Sequence, residues 1–209
     1  MIYLSDDYMN KYEDVLSYLL SRSIQEKYSF PYIEKTISYS IMIGELERSN
    51  ITTIAFSSME KIYSDIFPLK ENKNFILNVY DAYGWAGNTY MHLFLDFQMT
   101  FEAIFIILPI QLMLNLYHLY HEMSYSQIIG YFKALIPYSC LDSIMKAKKI
   151  STNEASNETG IPFSTLKSLR YGKRDITKVE SGVLFTLARY LDVKMESLLP
   201  NIHLSIEDY

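Results

Sequence analysis

The sequence predicts a mainly α-helical protein with a small two-stranded β element in its N-terminal domain and five short helices in its C-terminal domain. Three observations predict this fold class. Apolar residues recur at helical spacing through most of the chain. Cap-type residues and prolines divide the pattern into helix-length segments. The composition, 49% hydrophobic and 21% charged, is typical of a globular protein. The predicted domains are residues 1–137 and 138–209.

Two helices are predicted at the start of the chain. The segment SDDYMNKYEDVLSYLLSRSIQEKY has a start signal at Ser5, an acidic first turn and apolar residues at helical spacing. Pro31 ends that register and suits the first turn of a second helix, PYIEKTISYSIMIGELERSN. Four apolar residues should share one face of the second helix: Ile33, Ile37, Ile41 and Met42.

A short β-branched run predicts the β element. ITTIAFS, from Ile51 to Ser57, has the composition of a strand, and IYL near the N-terminus is its natural partner. The following segment, SMEKIYSDIF, predicts a short amphipathic helix that starts at a serine cap.

From Phe75 to Ile136 the apolar content predicts further helices, with breaks at YGWAGN, QMT, a proline and EMSYS. Thr100 and Ser124 are cap-like. Ser124 also has a Gln three residues later, which is the spacing of a capping box. Pro137 should end the last of these helices.

Three features argue for a cytoplasmic protein without membrane contact. The opening MIYLSDDYMNKYED is acidic where a secretory signal is basic. The most apolar run, AIFIILPIQLML, is shorter than the ~20 residues that span a bilayer, and a proline and a glutamine interrupt it. The single cysteine, Cys140, excludes an intrachain disulfide, which fits a reducing compartment.

The sequence predicts no enzyme, no cofactor and no metal site. His118, His121 and Glu122 cluster in YHLYHEM, but their order and spacing differ from those of a zinc protease. Cys140 lacks the local motifs of a cysteine nucleophile. An enzyme in residues 1–136 is a minor alternative that would require a deep polar pocket with convergent titratable groups.

The net charge of −5 conceals a locally basic segment. Residues 1–140 contain nine Lys and Arg against fifteen Asp and Glu, whereas residues 141–180 contain eight against five. An acidic protein with one basic segment is expected if only that segment contacts the phosphates of a nucleic acid.

From Leu141 onward the sequence predicts five short helices, in LDSIMKAKK, ISTNEASNETG, IPFSTLKSLRYG, TKVESGVLFTLARYL and KMESLL. Ser151 with Glu154 has the spacing of a capping box. Gly160 stands where a helix ends with positive φ, and Pro162 suits the first turn of the next helix.

The second and third of these helices have the pattern of a helix-turn-helix. Ala155 allows a close crossing, and Gly160 permits a tight turn that directs Ile161 into the core. Leu166 and Leu169 face inward. The other residues of the third helix then face outward: Pro162, Phe163, Ser164, Thr165, Lys167 and Ser168. In a helix-turn-helix the first helix braces against the DNA backbone while the N-terminal end of the second enters the major groove.

On ISTNEASNETGIPFSTLKSLRYGKR and the trailing LFTLARYLDVKMESLL, the segment from Leu141 to Leu199 resembles the Cro/lambda-repressor (XRE) family of helix-turn-helix domains. The resemblance implies a five-helix, lambda-repressor-like fold that binds double-stranded DNA. The N-terminal part resembles no family that we recognise.

The resemblance also implies the DNA-contacting positions. The groove-facing set is Phe163, Ser164, Thr165 and Lys167, bordered by Pro162 and Ser168. Ser151 and Thr152, at the start of the bracing helix, would contact phosphate or support the first base contact. Tyr171, Lys173 and Arg174 would contact the DNA backbone after the recognition helix. Many relatives have Gln at Thr152 and a long polar residue at Phe163. Thr cannot make a bidentate contact to adenine, and Phe offers only apolar contact to a thymine methyl, so base readout would depend on Ser164, Thr165 and Lys167.

The function implied is a transcriptional regulator, an antitoxin-type or phage-derived repressor, that acts as a homodimer. Its N-terminal domain would dimerise or bind a protein partner such as a toxin. The alternative is a protein-binding inhibitor or adaptor, related to toxin neutralisation or phage defence, whose helix-turn-helix is secondary or contacts protein.

Overall fold

The computed structural model describes residues 6–48, 57–68 and 81–199. Within them the chain forms twelve α-helices: α1 (Asp6–Gln25), α2 (Phe30–Ser38), α3 (Ile41–Glu47), α4 (Met59–Ile66), α5 (Ala82–Phe97), α6 (Phe101–Ile107), α7 (Ile110–Tyr120), α8 (Tyr125–Leu135), α9 (Cys140–Ala147), α10 (Thr152–Thr159), α11 (Phe163–Arg170) and α12 (Ser181–Leu191). The described residues also form two 3-10 helices, Ile176–Lys178 and Met195–Leu198.

The predicted two-stranded β element is wrong as a description of this fold, because all regular structure in the described residues is helical. Its two segments, IYL and Ile51–Ser57, lie outside the described residues except for Ser57. Ser57 directly precedes Ser58, whose side chain accepts a hydrogen bond from the Lys61 amide and caps α4. The serine cap and short helix predicted there are confirmed.

The second predicted helix is two helices. Ile33 and Ile37 are fully buried on α2 as predicted, but Ile41 is 83% exposed. The helix breaks at Tyr39, and the hydroxyl of Ser40 accepts a hydrogen bond from the Ile43 amide and caps the start of α3. A polar cap therefore outweighs the continuous apolar pattern.

The centre of the N-terminal part is the contact between α1 and α5. A Cβ on Gly87 of α5 would lie 2.4 Å from backbone atoms of Ser17 on α1, so only glycine allows this approach. The Ser17 hydroxyl donates to the Gly84 carbonyl at 2.9 Å. The sequence of YGWAGN is compatible with a turn or with a close helix contact, and the predicted break is wrong: these glycines lie inside a helix, and Gly87 makes the close contact.

The predicted helix ends in residues 100–137 have mixed outcomes. The Thr100 hydroxyl accepts from the Ala103 amide at 3.1 Å, which confirms that cap. Ser124 stands at the start of α8, but its side chain makes no cap hydrogen bond and contacts the Ser126 hydroxyl instead, so the predicted capping box is wrong. Pro137 follows the end of α8, as predicted.

Across the described ranges no single helix has the length and apolarity to cross a bilayer. One bent pair, α5 with α6, meets the length and composition criteria together, with an angle of 113° between the two helices.

The five short helices predicted from Leu141 onward are confirmed as α9 to α12 and the 3-10 helix Met195–Leu198, with an additional 3-10 turn before α12. Their buried apolar residues join those of the N-terminal part in one connected core. The boundary at residue 137 stays a prediction.

A group of buried polar residues, here called the seam, joins the two parts of the chain. Glu102 on α6 is only 5% exposed. Its carboxylate accepts hydrogen bonds from the Tyr39 hydroxyl at 2.6 Å, the Lys194 amide at 2.8 Å and the Ser197 hydroxyl at 2.5 Å. The Thr100 and Ser197 hydroxyls lie 2.7 Å apart.

Glu47 on α3 provides a second anchor of the seam. One of its carboxylate oxygens lies 3.3 Å from the Lys194 Nζ, and the other accepts from the Phe101 amide at 2.8 Å. Lys194 also donates to the Ser38 carbonyl at 2.8 Å. Burial raises the pKa of Glu47, and the Lys194 ammonium opposes that shift. These contacts fix how the C-terminal helices sit on the N-terminal part.

Candidate nucleic-acid interface

Helix α10 begins with the predicted capping box. The Glu154 amide donates to the Ser151 hydroxyl at 3.1 Å, and the Ser151 amide donates to the Glu154 carboxylate at 3.3 Å. Ser151 is exposed and Thr152 half-buried. Both residues predicted at the start of the bracing helix therefore reach the surface.

The turn between α10 and α11 has the predicted form. Gly160 has φ of 70°, a value that glycine adopts without strain, and its amide donates to the Ser156 carbonyl at 3.0 Å. The Ser156 hydroxyl donates to the Ile161 carbonyl at 2.7 Å. Ala155 and Ile161 are buried between the helices. The second helix of the pair is thereby fixed to the first.

Helix α11 buries one side and exposes the other. Leu166 and Leu169 are buried as predicted. On the outward side, Thr165 and Ser168 are half-buried, and the others are exposed: Pro162, Phe163, Ser164 and Lys167. The N-terminal part of the chain thus leaves this side open to solvent.

The N-terminal end of α11 is free to meet an acceptor. Pro162 stands before the helix and supplies no side-chain cap. The first amides of a helix lack intrahelical partners and carry a partial positive charge. Lys167 extends along this end, with its Nζ 5.8 Å from the centre of the Phe163 ring. The Ser168 hydroxyl is less available, because it donates to the Ser164 carbonyl at 2.8 Å.

The basic corner after α11 folds back on the helix. Gly172 has φ of 65°, and the amides of Lys173 and Arg174 both donate to the Ser168 carbonyl, at 2.9 and 3.2 Å. Both cationic side chains are exposed, and among the described residues neither makes an ion pair. Tyr171 is half-buried, with its ring against that of Tyr138 at 5.1 Å.

Comparison with protein families identifies the kind of domain that contains α10 and α11. A family described as the Cro/C1-type HTH DNA-binding domain matches residues 140–200. The C-terminal part of this chain is a Cro/C1-type helix-turn-helix domain. The resemblance predicted from the sequence is confirmed, and no family matches the N-terminal part. Searches among curated proteins and among solved structures gave no match.

The Cro/C1-type domain contains a buried ion pair that the sequence analysis missed. Arg170 is 9% exposed, and its Nε donates to the fully buried Asp142 carboxylate at 2.7 Å. Its Nη1 lies 3.0 Å from the Thr152 hydroxyl. Lys146 contacts the other oxygen of Asp142 at 2.6 Å. One side chain at the end of α11 thus connects α9 with the start of α10.

Other reactive groups lie apart from the Cro/C1-type domain's outward face. Within residues 6–48, 57–68 and 81–199, no group of three His, Cys, Asp or Glu residues is placed to hold a metal. His121 Nδ1 contacts the Tyr117 carbonyl at 2.8 Å. Cys140 is buried, its Sγ donates to the Ser197 carbonyl at 3.0 Å, and burial raises the pKa of its thiol to about 12.

Proposed function

We propose that this protein is a sequence-specific transcriptional regulator that binds double-stranded DNA through its Cro/C1-type domain. The observation that supports this function most is the open, polar end of α11 beside exposed cations in a domain whose family binds DNA. A site of this form has amides and cations for phosphate and short polar side chains for base edges.

The proposed contacts divide into two kinds. Ser164, Thr165 and Lys167 would contact base edges in the major groove, and Phe163 would pack on a thymine methyl beside Pro162. The remaining predicted residues would contact the sugar–phosphate backbone: Ser151, Thr152, Ser168, Tyr171, Lys173 and Arg174. Backbone contacts set affinity and register, whereas base contacts select the sequence.

The proposed biological form is a cytoplasmic homodimeric repressor. A single domain of this size buries only about 600–1,000 Å² on DNA, and a two-fold dimer doubles both the area and the length of sequence that is read. Residues 1–137 would form the dimer or bind a protein partner, such as a toxin in an antitoxin-type system.

Selection from a random-sequence duplex library tests the proposal. The full chain should enrich one sequence class, and fluorescence anisotropy should show tighter binding to the selected duplex than to a scrambled one. Ser164→Ala and Thr165→Ala should each reduce that preference by about 1–3 kcal/mol, because each removes a contact to a base edge. Ser126→Ala, an exposed serine on α8, is the matched control.

Two results would contradict this function. Without enrichment and without salt-dependent DNA binding, the adaptor or inhibitor alternative would be favoured. If the wild type selects a sequence but both variants retain its preference, α11 is not the helix that reads the bases.

A further inference from the structure

Within the part of the chain that the structure describes, the Thr152 hydroxyl acts as a hydrogen-bond acceptor, and its own proton is not donated to a protein group. Arg170 Nη1 donates to Thr152 Oγ1 at 3.0 Å and lies 3.5 Å from the Ile150 carbonyl oxygen. A guanidinium has no acceptor, so the hydroxyl cannot donate back to Arg170. Among the described residues no protein group accepts the hydroxyl proton. Thr152 is half-exposed, so this proton is left to a group outside the protein.

The surroundings of Thr152 favour an anionic acceptor. Thr152 and Asn153 are the first two residues of the eight-residue α10, and their amides have no intrahelical partner. The Ser151 cap satisfies only the Glu154 amide. The hydroxyl therefore lies beside two free amides at the positive end of a helix dipole.

The nearby carboxylate of Asp142 leaves no unpaired negative charge beside Thr152. It is fully buried and contacts Arg170 at 2.7 Å and the exposed Lys146 at 2.6 Å. The nearest acid on α10 is Glu154, whose carboxylate accepts the Ser151 amide. The partial positive charge induced on the hydroxyl proton by Arg170 strengthens its donation to an anion.

We infer that Arg170 is a positioning residue for DNA binding: it holds Thr152 Oγ1 so that the hydroxyl donates to one phosphate of the DNA backbone. This inference rests on the proposed function. Arg170 itself does not touch DNA, because it is buried and its Nε is taken by Asp142.

The first experiment uses the full chain and the duplex selected by the wild type. Thr152→Val removes the hydroxyl at nearly constant shape and should weaken binding about tenfold, the effect of one hydrogen bond to a charged group. Thr152→Ser should restore wild-type affinity. The slope of log K against log salt should stay unchanged in both, because no charge is lost. Thr186→Val, which removes a half-exposed hydroxyl from α12, is the matched control.

A scan of the duplex with single methylphosphonates locates the contact. One neutralised phosphate should weaken binding of the wild type and of Thr152→Ser, and should weaken binding of Thr152→Val clearly less, because that variant has only the helix amides left at this phosphate. A purely structural role of Thr152 would not produce dependence on one particular phosphate.

Arg170→Lys tests the positioning step. A lysine can still neutralise Asp142, but its single ammonium cannot also hold Thr152 in this geometry. The variant should bind about tenfold more weakly, and adding Thr152→Val should cost nothing more. Thermal melting reports any loss of stability separately. If Arg170→Lys does not fold, the two Thr152 variants and the phosphate scan still decide whether the Thr152 hydroxyl donates to a phosphate.

Each contrary outcome has a distinct meaning. If the wild type selects no duplex, the proposed function fails, and the inference fails with it. If the wild type binds a selected duplex but Thr152→Val binds it equally well, only the inference fails. Full binding by Arg170→Lys, with loss by Thr152→Val, would show that Thr152 acts without Arg170.

Discussion

Two polar regions of the molecule, the outward side of α11 and the seam, are built in opposite ways. On the outward side of α11 and its basic corner, polar side chains such as Ser164, Lys173 and Arg174 are exposed. On the seam, Glu102, Lys194 and Ser197 are largely withdrawn from solvent and hydrogen-bonded to one another. Both regions are polar, but only the first has capacity left for a partner.

The difference shows how to distinguish polar residues that bind from polar residues that fix structure. Buried polar groups cost free energy unless they are paired, so the seam is stable only while its set of contacts is complete. Exposed cations cost little when unpaired, and they gain by releasing counterions when they meet phosphate. Changes at the seam should therefore affect folding, and changes at the corner should affect binding.

The largest expected effect is on the seam. Glu102→Ala leaves three donors without their acceptor, namely Tyr39, the Lys194 amide and Ser197. The free energy of unfolding should fall by at least about 3 kcal/mol, measured by urea denaturation. Glu122→Ala, which removes an exposed carboxylate, should have almost no effect. Equal stability of the two variants would show that the seam does not hold the domain.

The next effect is at the basic corner. Lys173→Ala combined with Arg174→Ala should weaken binding to selected and scrambled duplexes alike. The slope of log K against log salt should flatten by about two units, because each lost phosphate contact removes about 0.9. Thermal stability should not change. The control is Lys35→Ala with Lys133→Ala, two exposed lysines outside the domain. Loss of affinity for the selected duplex alone would contradict a backbone contact.

The smallest effect concerns pH at Cys140, whose Sγ donates to the carbonyl of the seam residue Ser197. Burial raises the pKa of Cys140 to about 12, above the ordinary value of about 8.5, so the native state favours the neutral thiol. The stabilisation is complete below about pH 8.5 and decreases as the pH rises toward 12. Between pH 8 and 9.5 the wild type should lose about 1 kcal/mol more stability than Cys140→Ala, measured by urea denaturation. Parallel losses would indicate that the thiol is accessible in the native state.

Sequence patterns predicted the helix-turn-helix well because its signals are local. The capping box of Ser151 and Glu154 spans three residues, and Gly160 sets a turn through its own backbone freedom. Leu166 and Leu169 share a face by helical spacing. Whether the exposed residues of α11 contact DNA stays a prediction, because the structure shows only that they are open to solvent.

The missed features depend on contacts between distant parts of the chain. Arg170 looks like one more cation of the basic corner, and only its contact with Asp142, 28 residues earlier, shows that it is buried. No local pattern marks Glu102, whose partners Lys194 and Ser197 lie more than 90 residues later in the chain. For Gly87 the sequence alone could not distinguish a turn from a close helix contact, because the deciding partner is the backbone of Ser17, 70 residues earlier.

The seam has a consequence for the DNA that a homodimer would select. Glu47 and Glu102 fix the Cro/C1-type domain to the N-terminal helices. The two DNA-binding domains of such a dimer could therefore not rotate independently of each other. The separation between the two halves of its target would then be set by the protein. Duplexes with one extra base pair between the halves should be rejected, however good each half is.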